Sequence, residues 1–291
     1  MKKILFMFLT TSTLCFATEG LNAKKADQRV VVDSPSSKNS RAPKFEGMDV
    51  SFLDVTSTDE SIEAYRQKIE ESNKGHDPKE IWKNLNWNID FFNRENLPVV
   101  VGEITDKEAF SKNREGKGLR FLDLPIHMPQ QGWRVPQELE QFKEIISKAA
   151  EHERILNPDF EKDRYVYITV DQGVVLPLKS QRRSGYHGDS YRKVNTKNKD
   201  VTIPVDHLYV IYDNCPTLFT KGPYPLNGID AENGDAVSQR FAEIGKDQKP
   251  ILYPAYTLLR MDPYCIHDAG INDTKKSMSR TFVKISISKV K

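Results

Sequence analysis

The chain has 291 residues, 38% of them hydrophobic, enough for one large β domain or two smaller domains that bury a core without covalent staples. Forty-three basic residues against 41 acidic ones leave a formal charge of +2, which excludes a general electrostatic binder of nucleic acid or membrane and announces no partner.

Met1, Lys2 and Lys3 precede an apolar run from Ile4 to Ala17 that closes on Cys15-Phe16-Ala17, so residues 1–17 read as a secretory signal peptide. The run is shorter than the roughly 20 residues a membrane span needs, and no later segment matches it. No stable membrane insertion is therefore expected after cleavage. The mature protein is expected to be secreted or periplasmic, with an endoplasmic reticulum lumen or a host cell as other destinations. Leu14 before Cys15 argues against a lipoprotein, where a small residue would stand. Cleavage leaves Cys215 and Cys265, which either close a long loop as a disulfide or stay as buried thiols.

Residues 18–48 are polar, rich in Ser, Lys and Asn, and aperiodic, as in a flexible linker. Residues 49–158 form a helical and mixed N-terminal region expected to pack on the core. Its helices are read at 59–71, with Ile62, Tyr65 and Ile69 in phase, at 78–93, with Ile81, Trp82, Leu85 and Ile89, and at 136–155, with Leu139, Phe142, Ile145, Ile146 and Ala149. Strand-like runs interrupt them at 97–104 and 119–126. From 159 to 291 the texture turns to β-branched and aromatic runs, at 165–175, 207–212, 254–261 and 280–288, parted by Gly, Pro, Asn and Asp. Helices followed by strands imply an α+β fold in which the helices brace a β sandwich, best of the jelly-roll type, whose two sheets leave a mouth where side chains converge.

The chemistry concentrates in two segments. In Ser184-Gly185-Tyr186-His187-Gly188-Asp189 an imidazole and a carboxylate stand two residues apart, so extended backbone sends both to one face, with Gly188 removing bulk between them. Eighty residues later His267 follows the strand at 254–261, and thirteen residues beyond it Arg280 opens the last strand. Two histidines and one carboxylate on one side of a metal leave coordination positions open, which suits Fe(II) binding a chelating cosubstrate and dioxygen better than zinc. An arginine fork entering from the final strand matches the far carboxylate of a dicarboxylic cosubstrate.

This order, His-x-Asp, a distant His and then Arg on the last strand, resembles the Fe(II)/2-oxoglutarate-dependent dioxygenase superfamily over residues 160 to 291. The resemblance implies a double-stranded β-helix core with His187, Asp189 and His267 as iron ligands and Arg280 gripping 2-oxoglutarate. It also implies an enzyme, and the presence of Asp189, which related halogenases lack, points to hydroxylation of a small molecule or a peptide side chain.

Other readings stay open. The last strand alternates Arg280, Phe282, Lys284, Ser286 and Ser288 against Thr281, Val283, Ile285 and Ile287, so Arg280 faces either a wet mouth or bulk solvent. Tyr209 is the candidate to hydrogen-bond the cosubstrate, and Tyr212 lies on the opposite face of its strand; a core role competes for both. His207 competes as a ligand but opens a strand, and His76, His127 and His152 lack matching partners. The basic stretch 179–183 with Arg192, Lys193, Lys197 and Lys199 is either a solvated loop or a rim that favours an anionic substrate. Against the dioxygenase stand a non-catalytic exported β-sandwich binding module and a cupin-like metalloenzyme that does not use 2-oxoglutarate.

Overall fold

The computed structural model describes residues 30–31, 89–112, 118–189, 207–231 and 233–288. The signal peptide, the helix read at 59–71, the start of the one at 78–93 and nearly all of the linker lie outside the described residues. Ile89–Asn93, the end of that second helix, is a 3-10 turn with Phe92 buried.

The strands are β1 Val30–Val31, β2 Val99–Glu103, β3 Arg120–Met128, β4 Gly132–Trp133, β5 Tyr165–Val175, β6 His207–Tyr212, β7 Leu218–Phe219, β8 Ile251–Leu252, β9 Thr257–Met261, β10 His267–Asp268 and β11 Met278–Ser288. Among the described residues they make a large sheet in the order β2-β9-β6-β11-β5-β3-β4 and a small one in the order β1-β8-β7-β10. Among the described strands only the β1–β8 pair is parallel, and β1 falls inside the stretch read as linker. The runs at 165–175 and 207–212 become strands at those bounds, whereas the run at 254–261 begins pairing only at Thr257, after Tyr256 at φ +64.

The expected boundary near residue 158 falls inside one sheet. β2 hydrogen-bonds to β9 and β3 to β5, so the region before 158 supplies strands to the core as well as helices against it. The backbone groups of β5 and β9 would otherwise end a sheet edge there, and β3 and β2 satisfy them.

Alternation along β11 divides the interior. Val283, Ile285 and Ile287 point to one side, into a core with Val166, Ile168 and Val170 of β5 and with Leu139, Phe142, Ile145 and Ala149. Those last four belong to a 3-10 turn, Gln137–Phe142, and to the helix α1 that continues it, Lys143–Leu156. Phe282 points to the other side, between the sheets, with Leu208, Val210 and Tyr212 of β6, Leu259 and Met261 of β9 and Phe219 of β7. The period of two thus sends half of β11 to the helix and half to the small sheet.

A helix that the sequence gives little sign of, α2 Gly234–Lys246, packs Val237 and Phe241 with Phe92, Tyr224 and Ile266 in a third core. Asn233 caps it by accepting from the backbone N–H of Asp235 and Ala236. Cys215 and Cys265 are both buried free thiols, which decides between the two cysteine readings.

Candidate metal centre

His187 and His267 are neighbours across a two-residue antiparallel bridge, exchanging backbone hydrogen bonds of 2.9 and 3.0 Å. β10 in turn pairs with β7, so the small sheet holds His267 on both flanks. The two rings lie 4.5 Å apart between centroids, and the Phe219 ring sits 5.8 Å from that of His267.

The same device orients both imidazoles. His187 Nδ1 lies 2.6 Å from the carbonyl oxygen of Gly185, and His267 Nδ1 lies 3.1 Å from that of Cys265, in each case two residues upstream. A carbonyl only accepts, so each Nδ1 carries a proton and Nε2 is the ring atom left to present to a ligand. Asp189 completes the group, its Oδ1 4.0 Å from His187 Nε2. One ligand atom from each of His187, Asp189 and His267 lies within 4.8 Å of the others. The three residues read from the sequence as ligands are thus brought together.

Two glycines make that approach possible. A Cβ on Gly188 would stand 2.6 Å from the backbone oxygen of Pro263, so nothing larger fits between the histidine and the aspartate. A Cβ on Gly245 of α2 would stand 2.3 Å from the ring of Tyr186, which packs flush against the helix just before His187. Asp268 Oδ1 accepts from the backbone N–H of Gly185, itself at φ +121, and closes the turn that leads in.

The electrostatics suit a cation. Burial opposes ionisation of Asp189, but Lys284, His267, His187 and Arg182 outweigh it and hold the carboxyl well below the usual carboxylate range. Burial, reinforced by His187, brings His267 down to about 4, so its ring is neutral near pH 7. Ionised oxygen and neutral nitrogen are the forms that bind a metal.

Lys284, which the alternation of the last strand sets on the face of Arg280, is the further residue that the structure brings to the group. Its side chain is 17% exposed, and its Nζ lies 3.6 Å from Asp123, which also accepts from Thr169 Oγ1 at 2.9 Å. Burial disfavours the ammonium, but Asp123 and Asp189 outweigh burial and raise its pKa. Asp123 takes φ +46 where β3 slips register against β5. The readable signal was a lysine on the same face of the strand as Arg280.

Arg280 faces inward, 3% exposed, which settles its orientation. Its Nε donates to the carbonyls of Asn214 and Cys215 at 2.9 and 3.2 Å, its Nη1 donates to Gln181 Oε1 at 2.7 Å, and its guanidinium lies 5.0 Å from the Phe282 ring. It shares the inner face with Lys284, about 13 Å further along the strand.

Tyr209 is a correction. It pairs with Ile285, belongs to the core under α1, and donates its hydroxyl to Glu153 Oε1 of that helix while His152 Nδ1 lies 2.8 Å away. It stands on the side of the large sheet away from the histidine pair, because the inner face of β6 belongs to Leu208, Val210 and Tyr212. Tyr212, on that inner face, donates to the carbonyl of Tyr253 at 3.0 Å. His207 is likewise no ligand of this group: its Nε2 lies 2.5 Å from Glu153 Oε2. Of the basic stretch, Arg182 and Arg183 are exposed and Arg182 lies 3.8 Å from Asp171, while residues 192–199 lie outside the described residues.

No protein-family model and no curated protein matches the sequence. Among solved structures the chain is similar to EvdMO1, at 14% identity and TM-score 0.33 over 68% of this chain and 49% of that one. This chain therefore spans about half the length of EvdMO1. It is also similar to the non-heme monooxygenase ThoJ in complex with nickel, at 12% identity and TM-score 0.35 over 69% and 79% of the two chains. A third likeness is to EvdO2 from Micromonospora carbonacea var. aurantiaca complexed with 2-oxoglutarate, at 12% identity and TM-score 0.33 over 65% and 94%.

Proposed function

We propose that the protein is a non-haem Fe(II)/2-oxoglutarate-dependent dioxygenase of the hydroxylase type, built on a double-stranded β-helix. The observation that carries the reading is the histidine pair with its tethered Nδ1 atoms. Two imidazoles with Nε2 lone pairs aimed at one ionised carboxylate leave one side of a metal ion open, and Nδ1–carbonyl tethers are the usual outer support of a metal-binding histidine. The strand order also supports the fold. β8, β7 and β10 run in sequence across the small sheet with the His187 bridge beside β10, which puts the triad at that sheet's edge, and β5, β11, β6 and β9 are consecutive neighbours in the large sheet.

The donor set fits Fe(II), which His187, Asp189 and His267 would hold. With 2-oxoglutarate and dioxygen bound, the metal supplies oxidation of an unactivated C–H bond coupled to decarboxylation of the cosubstrate to succinate. The chain's part is to fix the two imidazoles by their backbone tethers, keep Asp189 ionised beside Lys284, and present a cation to the cosubstrate's distal carboxylate. Arg280 is that cation in this reading, inward-facing and backed by the Phe282 ring. The substrate is a small molecule or a peptide side chain, anionic if the exposed Arg182 and Arg183 rim the mouth, met after export to the periplasm or beyond.

One observation favours a second reading, a metalloenzyme that does without 2-oxoglutarate: Nε and Nη1 of Arg280 are already engaged by Asn214, Cys215 and Gln181. Anaerobic titration with Fe(II) and 2-oxoglutarate decides between them. The dioxygenase gives the weak visible charge-transfer band of the iron chelate, lost in His187→Ala and shifted to much higher 2-oxoglutarate concentration in Arg280→Ala. Iron binding without the band supports the second reading, and folded protein that binds no iron overturns both.

A further inference from the structure

The turn after β5 and the turn before β11 are joined into one tip. Leu178 N–H donates to the carbonyl of Asn272 and Asn272 N–H to that of Lys179, while the buried Asn272 side chain donates to the carbonyls of Val175 and Lys276. From this well-tied scaffold large apolar side chains project into solvent: Leu176 is 57% exposed, Leu178 76% and Ile271 42%. Lys179, Lys275 and Lys276 are exposed around them, with Asp273 the acid of the same turns.

Leu178 is the anomaly. It holds φ +58, a left-handed conformation that glycine takes freely and a bulky side chain takes at a cost, and it is the most exposed of the three apolar residues. Folding alone favours glycine or asparagine there. A leucine that is both strained and exposed makes sense when something outside the domain receives it.

We infer that this tip docks on a lipid surface carrying anionic headgroups, with Leu176, Leu178 and Ile271 entering the interface and Lys179, Lys275 and Lys276 meeting the phosphates. Protein interfaces concentrate aromatic residues and arginine and are depleted in lysine, whereas this tip holds aliphatic groups ringed by lysines. Aliphatic insertion combined with a basic ring is the two-signal arrangement by which a protein lies on a bilayer without spanning it. The net charge of +2 conceals this cluster because acids elsewhere in the chain cancel it.

The test is sedimentation of the full chain with vesicles of phosphatidylcholine alone and of phosphatidylcholine mixed with phosphatidylglycerol. Binding to the mixed vesicles should exceed binding to the neutral ones by about tenfold and weaken as salt rises. Leu178→Gly, and separately Lys275→Glu with Lys276→Glu, should each reduce it by about tenfold. Leu178→Gly should do so with an unchanged or raised thermal midpoint, since it relieves the strained backbone. The apolar run at 4–17 is common to parent and variants, so equal sedimentation of parent and Leu178→Gly overturns the proposal, as does a parent that binds neither vesicle. A lowered midpoint in Leu178→Gly, or loss of a concentration-dependent self-association seen by light scattering, would mean that the chain itself or a second copy covers the tip, and overturns it too.

Discussion

A carboxylate cluster stands on each side of the large sheet, a buried one under α1 and a partly exposed one between the sheets, and the two are built differently. Under α1, Glu153 is 1% exposed and both of its oxygens are taken: Oε1 accepts from the Tyr209 hydroxyl and from Arg260 Nε, and Oε2 meets His207 Nε2. Between the sheets, Asp189 faces two imidazoles whose Nδ1 protons are committed to backbone carbonyls, so the opposite ring nitrogens and a carboxylate oxygen converge. A cluster closed by its own donors pins a helix to a sheet. A cluster in which two imidazole nitrogens and a carboxylate oxygen converge offers ligand atoms instead, which makes the second the candidate metal centre and the first a structural contact.

The contrast predicts opposite phenotypes. The largest effect should be His187→Ala, which removes one of three ligands: Fe(II) or Ni(II) binding followed by calorimetry should vanish, with little change in the urea midpoint because the His187 ring is partly exposed. Glu153→Ala should do the reverse. Stripping the shared acceptor from Tyr209, His207 and Arg260 should cost about 3–5 kcal/mol in urea unfolding while leaving metal affinity intact. If Glu153→Ala also abolished metal binding in protein shown to be folded, the two faces would not be independent.

Much of this was legible in the sequence, and the exceptions share a cause. β-Branched and aromatic runs marked β5 and β6 at their actual ends, and the His-x-Asp spacing placed both side chains on one face. α2 was missed because its apolar positions are sparse, Val237 and Phe241 chief among them, and because Gly245 argues against a helix until Tyr186 is seen packed on it; the capping Asn233 was its one clear signal. Alternation showed that Tyr209 and Tyr212 face opposite ways but not which way the metal lies. That depends on which face of β6 the helix takes, a tertiary fact. Lys284 needed still more, since its partner Asp123 sits at a register slip that no period reveals.

Acidity should separate the clusters next. Burial lowers His267 to about 4 from the ordinary 6.5 of a histidine, so as the pH falls from 6.5 the unfolded chain takes up a proton that the folded chain refuses. Stability contributed by the neutral ring is present above pH 6.5 and drains away down to about pH 4, by about 3 kcal/mol in the metal-free protein. His152, lowered first by burial, adds a loss of the same sign. Glu153 is held low as well, because His207, Tyr209 and Arg260 outweigh the burial that opposes ionisation. Its contribution is therefore complete above its unfolded value and is lost only in stronger acid. Urea midpoints collected across this range should show the His267 portion disappear in His267→Gln, and a profile unchanged by that substitution would remove the burial argument for a neutral ligand.

The smallest effect tests the placement of Tyr209. Tyr209→Phe keeps the ring in its core and removes only the hydroxyl that Glu153 accepts and that His152 Nδ1 approaches at 2.8 Å. Because His207 and Arg260 remain on the carboxylate, the loss should be about 1–2 kcal/mol in urea unfolding. Affinity for Fe(II) and for 2-oxoglutarate should not change at all, since the hydroxyl lies on the helix side of the sheet. A variant of wild-type stability that bound 2-oxoglutarate markedly less well would put Tyr209 beside the cosubstrate and would require the two faces of β6 to be exchanged.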